Sequence, residues 1–279
     1  MVDCHTHVFP PKIGPRLAAA IGREFGREPA GDGSAENLLA HLTEAGLSQA
    51  ICFTAALRPD QMIPANSWMI GLRRTHTHLI PLGTVHPEHP AWTDELDRLE
   101  RNGIRGLKIH PDLSGIPLSS PRWDPVWESV RGRFLVMVHM GPVRIGEKTL
   151  SRPRDLAIVL KRHPGLDVVA AHLGGLGLWD ETLEHLAGKD LYMDTSCCHD
   201  VIPASAMAAL LARHDRGRIL FGSDYPLFSP KSERLALARL LAKLRVSDCA
   251  ILGNGKRLAQ SLQPGGFAGR TPAPGIDFS

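Results

Sequence analysis

The 279-residue chain has 43% hydrophobic and 22% charged side chains, with 32 basic against 29 acidic residues for a net charge of +3. That composition fits a well-cored globular protein and excludes wholesale disorder, collagen-like repeats and a disulfide-rich miniprotein. The slight basic surplus is spread along the chain without a block, which gives no footing for nucleic acid or another polyanion.

The five cysteines, Cys4, Cys52, Cys197, Cys198 and Cys249, are odd in number and show no C-x-x-C spacing. They read as reduced thiols, so a cytoplasmic location is expected. No apolar run approaches the roughly 18 residues of a bilayer span, and Asp3 puts a charge where a signal peptide would turn apolar. No membrane partner is therefore expected. Histidine is abundant, with 14 residues against two tyrosines.

In chain order, the first apolar run at 1–8 reads as a strand. The segment 9–33 follows as a long loop with a helix around 16–25, expected to lie over the mouth of the fold. Strands are expected at 49–54 and 79–85. Thr93, Asp94 and Glu95 open a helix with acids in its first turn, and Asn102-Gly103 ends it. A strand at 104–110 precedes a helix starting at Asp124-Pro125, and the run at 134–139 is almost continuously apolar, as a strand buried on both faces requires. Pro153 opens a helix with Leu156, Val159 and Leu160 on one face, stopped at His163-Pro164-Gly165. After a strand at 168–172, Asp180 caps a helix striped by Leu183 and Leu186. Strands at 191–195 and 219–224 precede the long amphipathic stretch 232–244, and the tail 263–279 is rich in Gly and Pro.

Eight strands alternating with helices predict a single-domain (β/α)8 TIM barrel over 1–262, with the tail as an extended arm. A doubly wound open sheet would carry a glycine-rich phosphate turn after its first strand, where this chain has His5-Thr6-His7.

The histidines gather at the strand C-termini, the end where such barrels build their sites. Side chains alternate along a strand, so Asp3, His5 and His7 are expected on one face. Lys108 and His110 end the fourth strand, His139 the fifth, His172 the sixth and Asp224 the eighth. Polar groups costly to bury unpaired, repeated at five strand ends, point to nitrogen and carboxylate ligands of one site. Such donors suit Zn²⁺, with Mn²⁺, Fe²⁺ and Co²⁺ less selectively.

The opening Asp3-x-His5-x-His7, Gly106–Pro111 (GLKIHP), Val138–Gly141 (VHMG), Ala171–Gly175 (AHLGG), Phe221–Pro226 (FGSDYP) and the closing Ile251-Leu252-Gly253-Asn254 with Arg257 resemble the amidohydrolase-related (amidohydrolase 2) branch of the amidohydrolase superfamily. The resemblance runs in order from about residue 1 to 262. It implies a metal-dependent hydrolase with His5, His7, His139 and Asp224 as metal ligands and Asp224 as general base toward water. It implies for His172 a place on a second metal or beside the substrate. Lys108 would bridge two ions if carboxylated, or serve otherwise in a site of one ion. His110 is expected to touch substrate or to cap its strand, and Asp194 to have a structural role in preference to orienting a neighbour. Cys197-Cys198-His199 is not expected to form a soft-ligand cluster.

The expected chemistry is attack of activated water on the carbonyl of an amide, lactone or ester in a small molecule. The branch also implies an alternative, nonoxidative decarboxylation of an aromatic or muconate-like acid. That reaction needs a cation for the carboxylate, for which Arg58, Arg144 and Lys148 are the candidates. A metal-dependent nuclease of the TatD kind is disfavoured by Lys108 and by the lack of a basic stripe with interleaved aromatics. The pocket is expected to be lined from 9–33, 58–66, 111–122 and 142–152. Oligomeric state is left open, a homo-oligomer included.

Overall fold

The computed structural model describes residues 1–263. Nine parallel strand segments make up two sheets. One contains β1 (Val2–His7), β2 (Gln49–Phe53) and β3 (Leu79–Pro81). The other contains β4 (Gly83–Thr84), β5 (Gly106–Ile109), β6 (Leu135–Val138), β7 (Asp167–Ala170), β8 (Tyr192–Asp194) and β9 (Ile219–Leu220), paired in that order.

The expected third strand is thus two pieces parted at Leu82. The first pairs with β2 and the second with β5. The buried amide of Asn66 explains part of the break: it takes both the N–H and the C=O of Thr84, at 2.7 and 3.0 Å. At the other seam the ladder gives way to separate bonds from the chain after β9 to β1. Cys4 N–H donates to Phe221 O at 2.8 Å, Asp224 N–H to His5 O at 2.8 Å and His7 N–H to Tyr225 O at 2.6 Å. The arrangement is that of a TIM barrel whose hydrogen-bond ladder is interrupted at two places.

Twelve helices are described: α1 (Gly14–Phe25), α2 (Ala35–Ala45), α3 (Met62–Thr75), α4 (Trp92–Arg101), α5 (Pro111–Ser114), α6 (Asp124–Val130), α7 (Pro153–Arg162), α8 (Trp179–His185), α9 (Ala204–Arg213), α10 (Pro230–Lys243), α11 (Cys249–Leu252) and α12 (Gly255–Ser261). None is long and apolar enough to cross a membrane.

Side-chain alternation divides the core in two. Leu135 and Met137 of β6 join Val2, Ile51, Phe53 and Leu220 inside the ring, where Leu258, Ala259 and Leu262 close one end. Val136 and Val138 face outward into the larger cluster shared with the helices. The tail assigned to 263–279 lies, beyond Gln263, outside the described residues.

Candidate metal centre

The site grows from a fault in β1. Val2 and Asp3 pair with Gln49 and Ala50, but Thr6 and His7 pair with Cys52 and Phe53, so the register shifts between Asp3 and Thr6. This corrects the expectation of strict alternation. Asp3 opposes the outward-facing Ala50, whereas His7 opposes the inward-facing Phe53. The shift is what brings His5 and His7 together over Phe53, with ring centroids 4.9 and 4.8 Å from it. Asp3 remains behind as a buried brace, with Oδ1 accepting from His5 N–H at 3.2 Å and Ser223 N–H at 3.0 Å. Burial raises its carboxyl to about 7.

Gly222 allows the next approach. A Cβ there would lie 2.7 Å from His5 Cβ, so only glycine lets β9 close on this histidine. Asp224 follows in the left-handed region at φ 65°, as do His172 at 58° and Cys197 at 59°. Such residues cost on the order of 1–2 kcal/mol each and persist where surrounding contacts fix them.

The ligand-type atoms of His5, His172 and Asp224 lie within 4.8 Å of one another. Asp224 Oδ1 is 3.3 Å from His5 Nε2 and 3.1 Å from His7 Nε2. Burial opposes ionisation of Asp224, yet the two imidazoles outweigh it and hold the carboxyl well below its ordinary value. His5 is itself raised: burial and Lys108 push it down, but the carboxylates of Asp194 and Asp224 prevail. His7 is lowered, chiefly by burial.

A second chain of bonds fixes the tautomers of the other rings. His172 Nδ1 is 3.1 Å from the carbonyl of Ser196 and 2.9 Å from its hydroxyl; because that hydroxyl gives its hydrogen to Asp194, the ring nitrogen carries its own. Burial lowers His172 to about 4, so the ring is neutral and its Nε2 is an acceptor. His139 Nδ1, 3.1 Å away, must then be the donor. That leaves the lone pair on His139 Nε2 buried with no partner, a costly state for a polar atom. His139 lines the same pocket as His7 and Asp224, and an unpartnered neutral imidazole nitrogen there fits a divalent ion. Among the described residues it is His5, His172 and Asp224, not His7 or His139, whose ligand atoms already lie together.

His110 stacks face to face on His139 at 3.7 Å and accepts the Leu113 N–H at Nδ1, 3.4 Å away. It caps α5 and borders the pocket. Lys108 is fully buried, with Nζ 3.5 Å from His5 Nε2 and 4.7 Å from the centre of the Phe53 ring. Burial lowers its ammonium to about 8.

Two expected substrate contacts are spoken for elsewhere. Arg58 pairs with Asp60 at 3.1 Å, both side chains well exposed. Arg144 donates from Nε to the carbonyl of Glu24 at 2.6 Å and from Nη2 to its carboxylate at 3.2 Å. Neither borders the pocket of about 100 Å³ above the histidines. Its rim comes instead from α1, from α5 and from the turn after Asp224, so 9–33 and 111–122 contribute while 58–66 and 142–152 do not.

Sequence reasoning underrated Asp194. Its carboxylate accepts from His5 Nδ1 at 2.9 Å, Ser196 N–H at 3.1 Å, His172 N–H at 3.3 Å and the Ser196 hydroxyl. Despite burial, His5 and these donors hold it far below the ordinary carboxylate range. Cys197 places Sγ 2.8 Å from Asp224 Oδ2. The three residues 197–199 point apart: Cys198 Sγ donates to the Ser196 carbonyl, and His199 Nδ1 meets the buried Glu233 carboxylate at 2.6 Å.

The family model described as amidohydrolase matches residues 2–248. Among solved structures, the chain is similar to an uncharacterised TIM-barrel protein from Bordetella bronchiseptica, at 18% identity and a TM-score of 0.70 over 94% of this chain and 99% of that one. A probable 2-pyrone-4,6-dicarboxylic acid hydrolase from Acinetobacter baumannii, solved with citric acid bound, is 19% identical, with a TM-score of 0.66 over 92% and 98%. A 5-carboxyvanillate decarboxylase from Novosphingobium aromaticivorans with bound manganese is 13% identical, with a TM-score of 0.62 over 92% and 96%. At these identities the likeness carries the fold alone. The comparison with curated proteins finds no match.

Proposed function

The chain belongs to the amidohydrolase family, and from that premise we propose that it is a metal-dependent hydrolase acting on the carbonyl group of a small amide, lactone or ester. The observation that carries the reading is the unpartnered Nε2 of His139, buried at the pocket that His7 and Asp224 also line. His5, His7, His139 and Asp224 would hold one divalent ion, and His172, already grouped with His5 and Asp224, would be able to join them. Imidazole and carboxylate donors favour zinc, and manganese is the second choice. When bound, the ion supplies Lewis-acid polarisation and a water acidified toward neutrality.

The residues do the rest. Asp224, ionised at neutral pH, accepts the proton of the attacking water at a carboxylate oxygen and returns it to the leaving group. His110, neutral and accepting a backbone N–H at Nδ1, keeps its hydrogen on Nε2 as a donor for the carbonyl oxygen. Asp194 holds His5 through Nδ1, which directs Nε2 toward the site.

Hydrolysis is favoured over decarboxylation because the arginines proposed as carboxylate anchors are engaged on the outside of the fold. Lys148, the third candidate, is exposed and does not border the pocket. The deciding experiment assays the zinc- and manganese-loaded protein with lactones, esters and carboxylated aromatics in ¹⁸O-labelled water. Label in the product supports hydrolysis. Release of CO₂ from an aromatic acid, with no label taken up, would overturn it.

A further inference from the structure

We propose that the pocket takes a compact, uncharged acyl substrate with an apolar tail and rejects one carrying a second carboxylate. The inference rests on the hydrolase reading and names the substrate class of the same site.

Away from the histidines and Asp224, the walls are Ile21 and Phe25 of α1, Leu113 of α5, and Pro226 and Leu227 after β9. Among the described residues, no lysine or arginine borders the pocket. The guanidiniums nearest by topology work as fasteners for α1. Arg144, in the loop after β6, grips Glu24 near the end of α1 through carbonyl and carboxylate together. Arg27, just beyond α1, lies 3.9 Å over the ring of Phe228. Their charge is spent holding the apolar face of α1 against the mouth.

Lys108 does not supply the missing cation. Its Nζ lies against His5 Nε2 and the Phe53 ring, and it does not border the pocket. A carboxylate on the substrate tail would lose part of its hydration against the partly exposed Ile21, Phe25 and Leu113 with no counter-charge to replace it, which is disfavoured. An alkyl or aryl tail gains by removing apolar surface from water on both sides. The pocket volume, about 100 Å³, sets the tail short; drug-sized ligand pockets begin at roughly 300 Å³.

The test uses two hydroxamates that bind a metal ion through the same head group and differ in the tail. The full chain is loaded with zinc, its zinc content is measured, and each ligand is titrated calorimetrically. Hexanohydroxamic acid is expected to bind at least tenfold more tightly than the monohydroxamate of succinic acid. Leu113→Arg adds a cation at a residue that is 48% exposed, sparing the core. This variant is expected to narrow the ratio by tenfold or more. Equal or tighter binding of the succinic probe by the unaltered protein would overturn the inference and leave the hydrolase reading standing. Zinc uptake without binding of either hydroxamate would also overturn it, because the pocket then does not open on the ion. Failure to take up zinc at all would sink the hydrolase reading itself, which the zinc measurement reports separately.

Discussion

His5 gives its Nδ1 hydrogen to Asp194 Oδ2 at 2.9 Å, across 189 positions of sequence and with both side chains buried. A carboxylate in this place fixes the tautomer and the tilt of the ring, and strengthens Nε2 as a donor to metal. Asp194→Asn presents an N–H where His5 or Ser196 now donates. Zinc affinity, read by competition with a chromophoric chelator, is expected to fall 10- to 100-fold with the circular dichroism spectrum retained. Unchanged affinity would show that Asp194 serves only the backbone of the 172 and 196 loops.

Removing the metal separates site from scaffold. The two apolar clusters are built from strand and helix residues that owe nothing to an ion. Dialysis against a chelator is therefore expected to abolish turnover while leaving helical content intact. Readdition of one equivalent of zinc should restore activity. Melting should rise with zinc concentration as binding to the native state alone requires, by about 2.7 kcal/mol at a hundred times the dissociation constant. Full activity in protein shown to be metal-free would refute the mechanism.

Lys108 decides between one ion and two. Its ammonium lies 3.5 Å from His5 Nε2 and, while charged, repels a cation held there. At an effective dielectric near 20, unit charges about 4 Å apart oppose each other by about 4 kcal/mol. Lys108→Met keeps the buried volume and removes the charge. The expected result is an unchanged content of one equivalent, bound at least tenfold more tightly. A drop from two equivalents to one would instead identify Lys108 as a bridging ligand.

The apolar runs made the barrel strands legible because burial on both faces leaves little choice of residue, as in Leu135–Val138. The positions of His139, His172 and Asp224 were legible for a related reason: each follows the end of such a run. The register shift in β1 was not, since it depends on how Cys4 and His5 together face Ile51. Nor was the engagement of Arg144 by Glu24, 120 residues away, or of Thr84 by Asn66. Local periodicity carries no trace of a partner chosen by the folded topology. The left-handed backbone at Cys197 and Asp224 was equally silent, because neither residue type demands it.

The far side of the barrel offers a pH test free of the metal. Glu100 of α4 is bound by Arg133 Nε and Nη2 at 3.1 and 2.7 Å and by Arg105. Burial favours the neutral acid, but the two arginines outweigh it and the carboxyl titrates below its ordinary value. The native state therefore binds fewer protons than the unfolded chain, so this stability is present above the ordinary carboxylate pKa of about 4.3 and is lost as pH falls through the lower native value. Partial solvation keeps the contribution near 1 kcal/mol. Urea unfolding is expected to show Glu100→Gln about 1 kcal/mol weaker at pH 7, with the gap closing toward pH 3. A constant gap would mean that packing, not charge, sets the difference.

Asn254 tests how the last strand is held in place. Its Nδ2 donates to the carbonyls of Arg216 and Ile219, at 2.7 and 2.8 Å, where the chain enters β9. Arg257 in turn reaches Asn254 Oδ1 and the carbonyl of Gly217, both at 3.4 Å. One side chain thus satisfies two backbone acceptors and receives a third bond, four residues before the interior closes on Leu258. Asn254→Ala strands those carbonyls at a cost of about 2 kcal/mol, equivalent to a fall in Tm of roughly 3–4 °C for a chain of this size. Asn254→Asp should be worse, because a carboxylate replaces the donor and faces the two carbonyl oxygens. Folded protein of either variant should still take up zinc, since β9 is anchored independently to β1 through Cys4 and Phe221. If Asp proves milder than Ala in thermal melts, the carbonyls do not depend on this amide and the strand is held by its ladder with β8 and its bond to β1.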